Sequence, residues 1–464
     1  MRTVIYKVPE DISAEIIPEI KLSDLFKIMF DSPISDEEMF QVVEQIADMD
    51  IAVDFFSSNQ KKYVLAEEVV FPKLSRMLNK RIKEPSAIVS LNVLKELYHM
   101  EDIGVPINAE TLRYEANQVS KVCTESIIDL IAKAEKNQLT VTETDIRGST
   151  FLFPAEFIEL NTYLQVVRKN IKHANMLNLE KLSKYIFQDN CGKSRLRAQW
   201  DIFGALSGRI QSYNFNVQGL PKTIRQSCIQ PSEGYSLICA DYVSEELLLM
   251  AVLSSDEDMI DLVMKQEDLH KMIASYIFEK EVDQVTKEER SLAKKVDFPY
   301  LYGAGDTALK KIIMENWSGV ELSVTKVKSS IKKVFSKVEN IVNAAEKKGY
   351  IELIDKTQIP LVDIQKKHTY FNRMVQGSGA IILKKVVSDI AKQLPDEAHI
   401  CFLLHDELMV ETPSNLTQSC VDIVTKTMTK VLKGYGYDID IPISVEIKEG
   451  GVKCYDISGN DGAC

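Results

Sequence analysis

Apolar positions along this chain change period several times, and each change predicts an element. Leu91, Val93, Leu94, Leu97 and Tyr98 share one helical face. Gly104 and Pro106 break that helix. Asn108 is placed to cap a long helix from about Ala109 to Lys136, with Glu110, Leu112 and Ala116 following. Residues 156–185 are again helical. From 190 to 240 glycines, hydroxyl residues and short β runs appear, and the apolar strand Tyr235–Ala240 closes that region. Helices are expected through Leu262 and Val263, over Met272–Phe278, and over 310–348, 366–392 and 414–433. Ile443–Ile447 is a strand. Residues 1–85 are mixed, with helices over Leu22–Phe30 and Asp36–Met49 and strands over Ile51–Phe56 and Lys62–Leu65. Asp48, Asp50 and Asp54 there form a solvated acidic loop.

Two places combine such patterning with acids. Apolar residues run from Ile400 to Leu404, His405-Asp406-Glu407 follow, and apolar residues return at Leu408–Val410. This is a hairpin with a tight acidic turn. Adjacent carboxylates on a rigid tip suit a divalent cation with oxygen ligands, although acidic turns are also commonly solvated. The strand Tyr235–Ala240 ends in Asp241-Tyr242, again a metal-ligand position. The helix after it carries Glu245 and Glu246 early, where the macrodipole favours carboxylates.

On a helix, Arg290, Lys294, Phe298 and Tyr302 recur every four residues and form one stripe, two cations and then two aromatics. A nucleoside triphosphate could lie along it, phosphates at the cations and base or sugar at the aromatics. An amphipathic helix with a basic end would explain the cations but not the aromatics. Gly377-Ser378-Gly379 lies inside the 366–392 helix, where it lowers helix propensity and points to close backbone approach.

Composition narrows the class. The 464 residues are 45% hydrophobic and 27% charged, ordinary for a globular protein of roughly two to four domains. No apolar run is long enough to span a membrane, and the N-terminal residues lack a signal-peptide pattern. Eight cysteines are scattered without a CxxC pair, which favours reduced thiols in a cytoplasmic setting. The net charge of −12 argues weakly against nucleic acid. Local basic clusters, Lys80-Arg81-Lys83, Arg168-Lys169-Lys172, Lys193-Arg195-Arg197 and Arg290-Lys294-Lys295, read singly as solvated faces. Long helices with a basic surface could also grip a duplex backbone.

Two aspartates at strand or hairpin ends, with a cation-aromatic helix between them, match the needs of two-metal phosphoryl transfer. The wording and order of the motifs resemble the family A DNA polymerases of the bacterial DNA polymerase I type. Asp241-Tyr242-Val243-Ser244-Glu245-Glu246-Leu247 is similar to the first palm motif. Arg290-x3-Lys294-x3-Phe298-x3-Tyr302-Gly303 is similar to the fingers motif, and His405-Asp406-Glu407 to the last palm motif. Val375-Gln376-Gly377-Ser378-Gly379-Ala380, Ser207-Gly208-Arg209, Asn216-x-Gln218 and the turn Met100–Ile107 match further segments, so the resemblance runs from about 90 to 457. Tyr302-Gly303-Ala304-Gly305-Asp306 is similar to the phage-type branch.

The resemblance implies an α+β multidomain right hand, with an antiparallel β palm, helical fingers and a helical thumb. Residues 1–85 are then a small N-terminal region of unassigned role, 86–190 the start of the polymerase region with the thumb, 191–250 the first part of the palm, 251–365 the fingers and 366–464 the second part of the palm. It implies that Asp241, Asp406 and the Tyr242 backbone carbonyl hold two Mg²⁺, for which Mn²⁺ can substitute, and that Glu407 and Lys294 join the catalytic set. Arg290, Lys294 and His270 hold the triphosphate, and Phe298 stacks on the incoming sugar and base. Tyr302 closes the nascent pair and, with Glu246, excludes a ribose 2′-hydroxyl. Arg209, Asn216, Gln218, Gln376 and His405 contact primer-template. The implied partners are DNA and dNTPs, with no membrane; the chain is expected to be a monomer, and no replisome or processivity partner is specified. The implied setting is cytoplasmic, the host cytoplasm for a phage- or plasmid-encoded protein. Residues 1–85 are too short for the usual proofreading exonuclease and lack its acids, and no flap nuclease fits. The chain departs from the family at Asp297 (more usually Asn), Pro299 (usually Gly) and Leu248 (often Arg), and the tip after Gly349-Tyr350-Ile351-Glu352 is shortened. Pro299 is expected to kink the fingers helix or alter its closing. Other readings are a polymerase for reverse transcription, lesion bypass or terminal transfer, and a non-catalytic polymerase-derived nucleic-acid-binding protein.

Overall fold

The computed structural model describes residues 5–7, 19–21, 85–319, 321–361, 364, 369–450 and 452–456. The expectations for 22–84, including the loop of Asp48, Asp50 and Asp54, lie outside the described residues. Ile5–Lys7 and Glu19–Lys21 pair as an antiparallel ribbon.

Helix α1, Pro85–Ile103, stops at Gly104, whose φ of +69° disfavours a side chain. Helix α2 is Ala109–Lys136. Asn108 Oδ1 accepts the Thr111 N–H at 3.0 Å, and Glu110 and Lys133 with Lys136 complement the two ends of the dipole. Helix α3, Ile158–Met176, is shorter than its apolar period suggested. Asn178 caps a separate short helix at Leu179–Leu182 and turns the chain toward the strand Ile186–Gln188.

The outer halves of α2 and α3 share a core of their own, with Cys123, Ile127 and Leu130 against Leu160, Leu164 and Val167. Each buried aliphatic side chain there contributes roughly 1.5–3 kcal/mol. Arg168 departs from the expected solvated cluster: its guanidinium donates to the carbonyls of Ile146, Gly148 and Phe151, clamping a loop, while Lys169 and Lys172 stay exposed.

Most other elements meet in one larger core around a five-stranded sheet. Strand β1, Tyr235–Tyr242, is central. One flank holds β2, His399–Leu404, and β3, Glu407–Pro413; the other holds β4, Ile443–Glu449, and β5, Val452–Asp456. The order is β2-β3-β1-β4-β5, antiparallel throughout. The expected hairpin is therefore present, and its partner is the strand that carries Asp241.

Helix α4, Glu245–Ser254, leaves the sheet after Ser244, whose φ is +57°. Helices α5, Leu269–Phe278, and α6, Lys287–Leu301, pack together. A capping box between Thr286 and Glu289 starts α6. Pro299 lies in its last turn and forfeits the bond to the Lys295 carbonyl; the helix runs only two residues further. The helical 310–348 stretch comprises three helices, α7 (Asp306–Asn316), α8 (Val324–Val334) and α9 (Ser336–Lys348). Helix α10, Tyr370–Ala391, packs on α1, α4 and α11, Thr417–Lys430. The close approach expected at Gly377-Ser378-Gly379 is real. A Cβ at Gly377 would stand 3.1 Å from the Leu353 methyls, and one at Gly379 would stand 3.2 Å from the Glu245 carboxylate.

Towards the other end of β3 from the acids, Arg195 corrects the reading of Lys193-Arg195-Arg197 as a solvated face. It is buried and pairs with Asp189 and with the fully buried Glu411, which also receives His399. Lys193 and Arg197, just outside the short strand Ser194–Leu196, lie over the rings of Tyr235 and Phe187.

Candidate active site

The acidic end of the sheet follows from strand register. Leu404 pairs with Glu407, so His405 and Asp406 form the turn, with His405 at a φ of +54°. Glu407 is the first residue of β3 and stands opposite Asp241 on β1. Opposed residues of an antiparallel pair project from the same face. Tyr242, one residue on, points to the other face, where its buried hydroxyl donates to the Met428 carbonyl. Its backbone stays beside the acids.

Three carboxyl groups therefore crowd one strand end. Desolvation and the charges of Asp406 and Glu407 push Asp241 up to about 7, although its side chain reaches solvent. Desolvation also raises Asp406 and Glu407. Arg225 is the near cation for Glu407, at 3.5 Å. Sequence reading had not singled out Arg225, because the pair is 182 residues apart.

Glu245 joins this acidic set unexpectedly. It is buried, and its Oε1 has no partner. Burial first, then Asp406, pushes its carboxyl from 4.5 up to about 8. The folded protein thus keeps a proton that the unfolded chain releases, so stability should fall as pH rises from about 4.5 to about 8. Glu245→Gln should flatten that part of a metal-free urea-denaturation profile, and an unchanged slope would contradict this.

The stripe on α6 has the expected order but is more fully partnered than a bare helix face. Arg290 pairs with Asp268, the N-cap residue of α5, and lowers that carboxyl against the raising effect of burial. Lys294 is exposed and has no side-chain partner among the described residues. The Phe298 ring lies 6.2 Å from His270 and 5.9 Å from Tyr302, centroid to centroid. Tyr302 is the C-cap of α6 and donates its hydroxyl to Glu246 at 2.9 Å. Glu246 in turn receives Arg209 at 3.2 Å. The row therefore runs from the cations of α6 across to the sheet. Arg209 is held by a turn at Gly208, whose φ of +82° favours glycine.

The other residues expected at primer-template divide. Gln376 makes no side-chain hydrogen bond to the described residues, and His405 is exposed. Asn216 accepts from the Gly219 N–H and Ser212 hydroxyl. Gln218 accepts from the Ser212 N–H and donates to the Leu403 carbonyl at 2.9 Å, tying its loop to β2. Bracing the hairpin is the role these contacts give Gln218.

An antiparallel sheet with acids at one end, a helical wall with a cation-aromatic row and a separate pair of long helices together make up the right-hand polymerase fold. The POL domain of Pol1 from M. smegmatis, solved in complex with DNA primer-template and dNTP, superposes with a TM-score of 0.73 at 19% identity, covering 92% of this chain and 81% of that one. DNA polymerase I of Aquifex aeolicus is 25% identical over 86% of this chain and 76% of its own length. DNA polymerase I of Bacillus subtilis is 26% identical over 53% of this chain. The chain covers only 29% of that relative's length. The profile of DNA polymerase family A matches residues 155–453, and the chain belongs to that family. Among the described residues no helix is long and apolar enough to cross a membrane.

Proposed function

We propose that this chain is a DNA-directed DNA polymerase that adds dNTPs to a primer 3′-hydroxyl by two-metal phosphoryl transfer. The observation that carries this reading is the set of under-compensated carboxylates of Asp241 and Asp406 at one sheet end, joined to the α6 stripe through Tyr302, Glu246 and Arg209. Residues 191–250 and 366–464 make the palm, 251–365 the fingers, and 86–190 the entry to the polymerase region with the thumb; 1–85 have no assigned role.

The donor set fits divalent cations. Among the described residues no three acidic, histidine or cysteine side chains are placed to hold an ion by themselves. An open pair of carboxylates plus the Tyr242 carbonyl suits Mg²⁺, which keeps water and substrate phosphate oxygens as further ligands. Bound there, Mg²⁺ (or Mn²⁺) supplies Lewis-acid stabilisation of the developing charge and a more acidic 3′-hydroxyl.

The side chains do the rest. Arg290, Lys294 and His270 clamp the triphosphate and neutralise the leaving pyrophosphate. Phe298 stacks on sugar and base. Tyr302, braced by Glu246, closes the nascent pair, and Glu246 occupies the space a ribose 2′-hydroxyl would need. Arg209, Gln376 and His405 meet the duplex, Asn216 and Gln218 hold the loop and hairpin that meet it, and Glu407 stands at the primer terminus. Minor-groove acceptors are shared by all base pairs, so such contacts read duplex shape without preferring a sequence. Primer extension with Mg²⁺ and dNTPs, run beside Asp241→Ala on DNA, RNA and blunt templates, tests this reading. Failure of the wild type to extend any of them would end it.

Phe298 adds a specificity prediction. Family A polymerases relate dideoxynucleotide use to Phe or Tyr at the place that Phe298 resembles, and the resemblance implies discrimination against dideoxynucleotides here. Phe298→Tyr should ease their incorporation by about tenfold or more, the scale of one hydrogen bond. A chain-termination ladder compares the two proteins, and ready termination by the wild type would refute the point.

A further inference from the structure

Asp297 is 1% exposed, a carboxylate placed inside the junction of α5 and α6. Burying an ion costs several kcal/mol unless its oxygens are matched. Both are matched here. Oδ1 accepts the Phe298 N–H at 2.6 Å, and Oδ2 lies 2.6 Å from His270 Nδ1. His270 side-chain exposure is 15%, and Nε2 has no partner among the described residues. The ring stands edge to face with Phe298, the first aromatic of the α6 stripe.

These contacts fix more than a location. A carboxylate can only accept, so it selects the imidazole form with hydrogen on Nδ1. Nε2 is then the outward atom. A phosphate oxygen also only accepts, so His270 can serve both neighbours only with both nitrogens protonated, Nδ1–H to Asp297 and Nε2–H to the phosphate. The other charge close to the ring is Asp268, which pairs with Arg290. An asparagine at 297 would not impose this choice, because its amide can turn either an acceptor or a donor toward Nδ1.

We propose that Asp297 is a positioning residue for nucleotide binding: its carboxylate sets the His270 ring so that Nε2–H is the donor offered to the triphosphate of an incoming nucleotide. The proposal rests on the reading of the α6 stripe as the triphosphate site and names the group that orients one of its ligands. Asp297 does not touch the nucleotide itself. Its effect passes through His270, and it belongs in nucleotide affinity more than in the chemical step.

The test is a double-mutant cycle on the full chain with Asp297→Asn and His270→Gln, read as KM and kcat for dNTP and as dNTP affinity by calorimetry. Loss of one charge-assisted hydrogen bond corresponds to about tenfold or more. Asp297→Asn should raise dNTP KM by about that factor, with a smaller change in kcat, and should add nothing in the His270→Gln background. A second measurement needs no variant. Nitrogen-15 spectra of the histidine-labelled wild type should show His270 carrying hydrogen on Nδ1, with Nε2–H appearing when dNTP is added. Equal effects of Asp297→Asn in both backgrounds, or a wild-type ring protonated only on Nε2, would overturn the proposal while leaving the polymerase reading intact. Absence of any dNTP binding by the wild type would overturn both.

Discussion

Replacing Asp406 with alanine should lower primer extension by at least roughly 10²–10³-fold, the scale of losing one group that stabilises transition-state charge. Asp406 is a turn residue outside the core, and the β2–β3 ladder holds the hairpin without its side chain. The variant should therefore fold. Its carboxyl is also one of the charges that raise Asp241. Removing it relieves like-charge crowding and leaves Asp241 as the only one of the two proposed ligand carboxylates. Duplex binding should persist or tighten, because a negative charge is removed near a polyanion. Extension assays beside duplex titrations at fixed ionic strength separate the two effects. Extension within tenfold of wild type would show that Asp406 is not a metal ligand. Loss of binding and extension together would place it instead among the groups that hold the duplex.

The second large effect lies towards the far end of β3. Arg195→Met should destabilise the protein by about 3–5 kcal/mol, the cost of stranding one member of a buried ion pair. Glu411 is fully buried, and one of its oxygens already has no partner. Burial alone would raise its carboxyl, yet the His399 hydrogen bond and the Arg195 charge outweigh burial and hold it below its usual 4.5. Such a lowered group stabilises the fold above about 4.5, and its contribution is lost as pH falls through the folded value. Without Arg195 the buried carboxyl should favour its protonated form, and the slope should reverse, with stability gained on acidification. Urea denaturation as a function of pH checks both magnitude and sign. Arg195→Met with Glu411→Leu should recover much of the loss, since an apolar pair of similar volume is often as stable as a buried ion pair. Failure to recover would mean that the network does more than satisfy itself.

Several elements were legible because their signals are local. The α2 boundaries follow from Asn108 at one end and loss of apolar period at the other. The hairpin follows from two apolar runs around three polar residues, and the α6 stripe from a four-residue repeat. Where the reading strayed, a short-range device had overridden a longer period. Asn178 restarted a helix after α3. Arg195 and Arg168 read as surface cations because their acceptors, Glu411 and loop carbonyls, come from distant positions. Pair partners such as Asp268 for Arg290, Arg225 for Glu407 and Asp297 for His270 have no sequence pattern that joins them.

The sequence by itself singled out the candidate residues and their order along the chain. Motif order, strand ends and helical repeats are properties of neighbours along the chain, and they named Asp241, Asp406 and the α6 stripe. Tertiary structure alone decided how those groups stand toward one another. Strand β1 lies between β3 and β4, so Asp241 is set beside a hairpin far away in sequence. That placement crowds the carboxylates and raises Asp241. It also gives Glu245 a buried place among them and turns Arg195 into the core. Electrostatic energy depends on distance through space and on burial, and both become fixed only when the sheet closes.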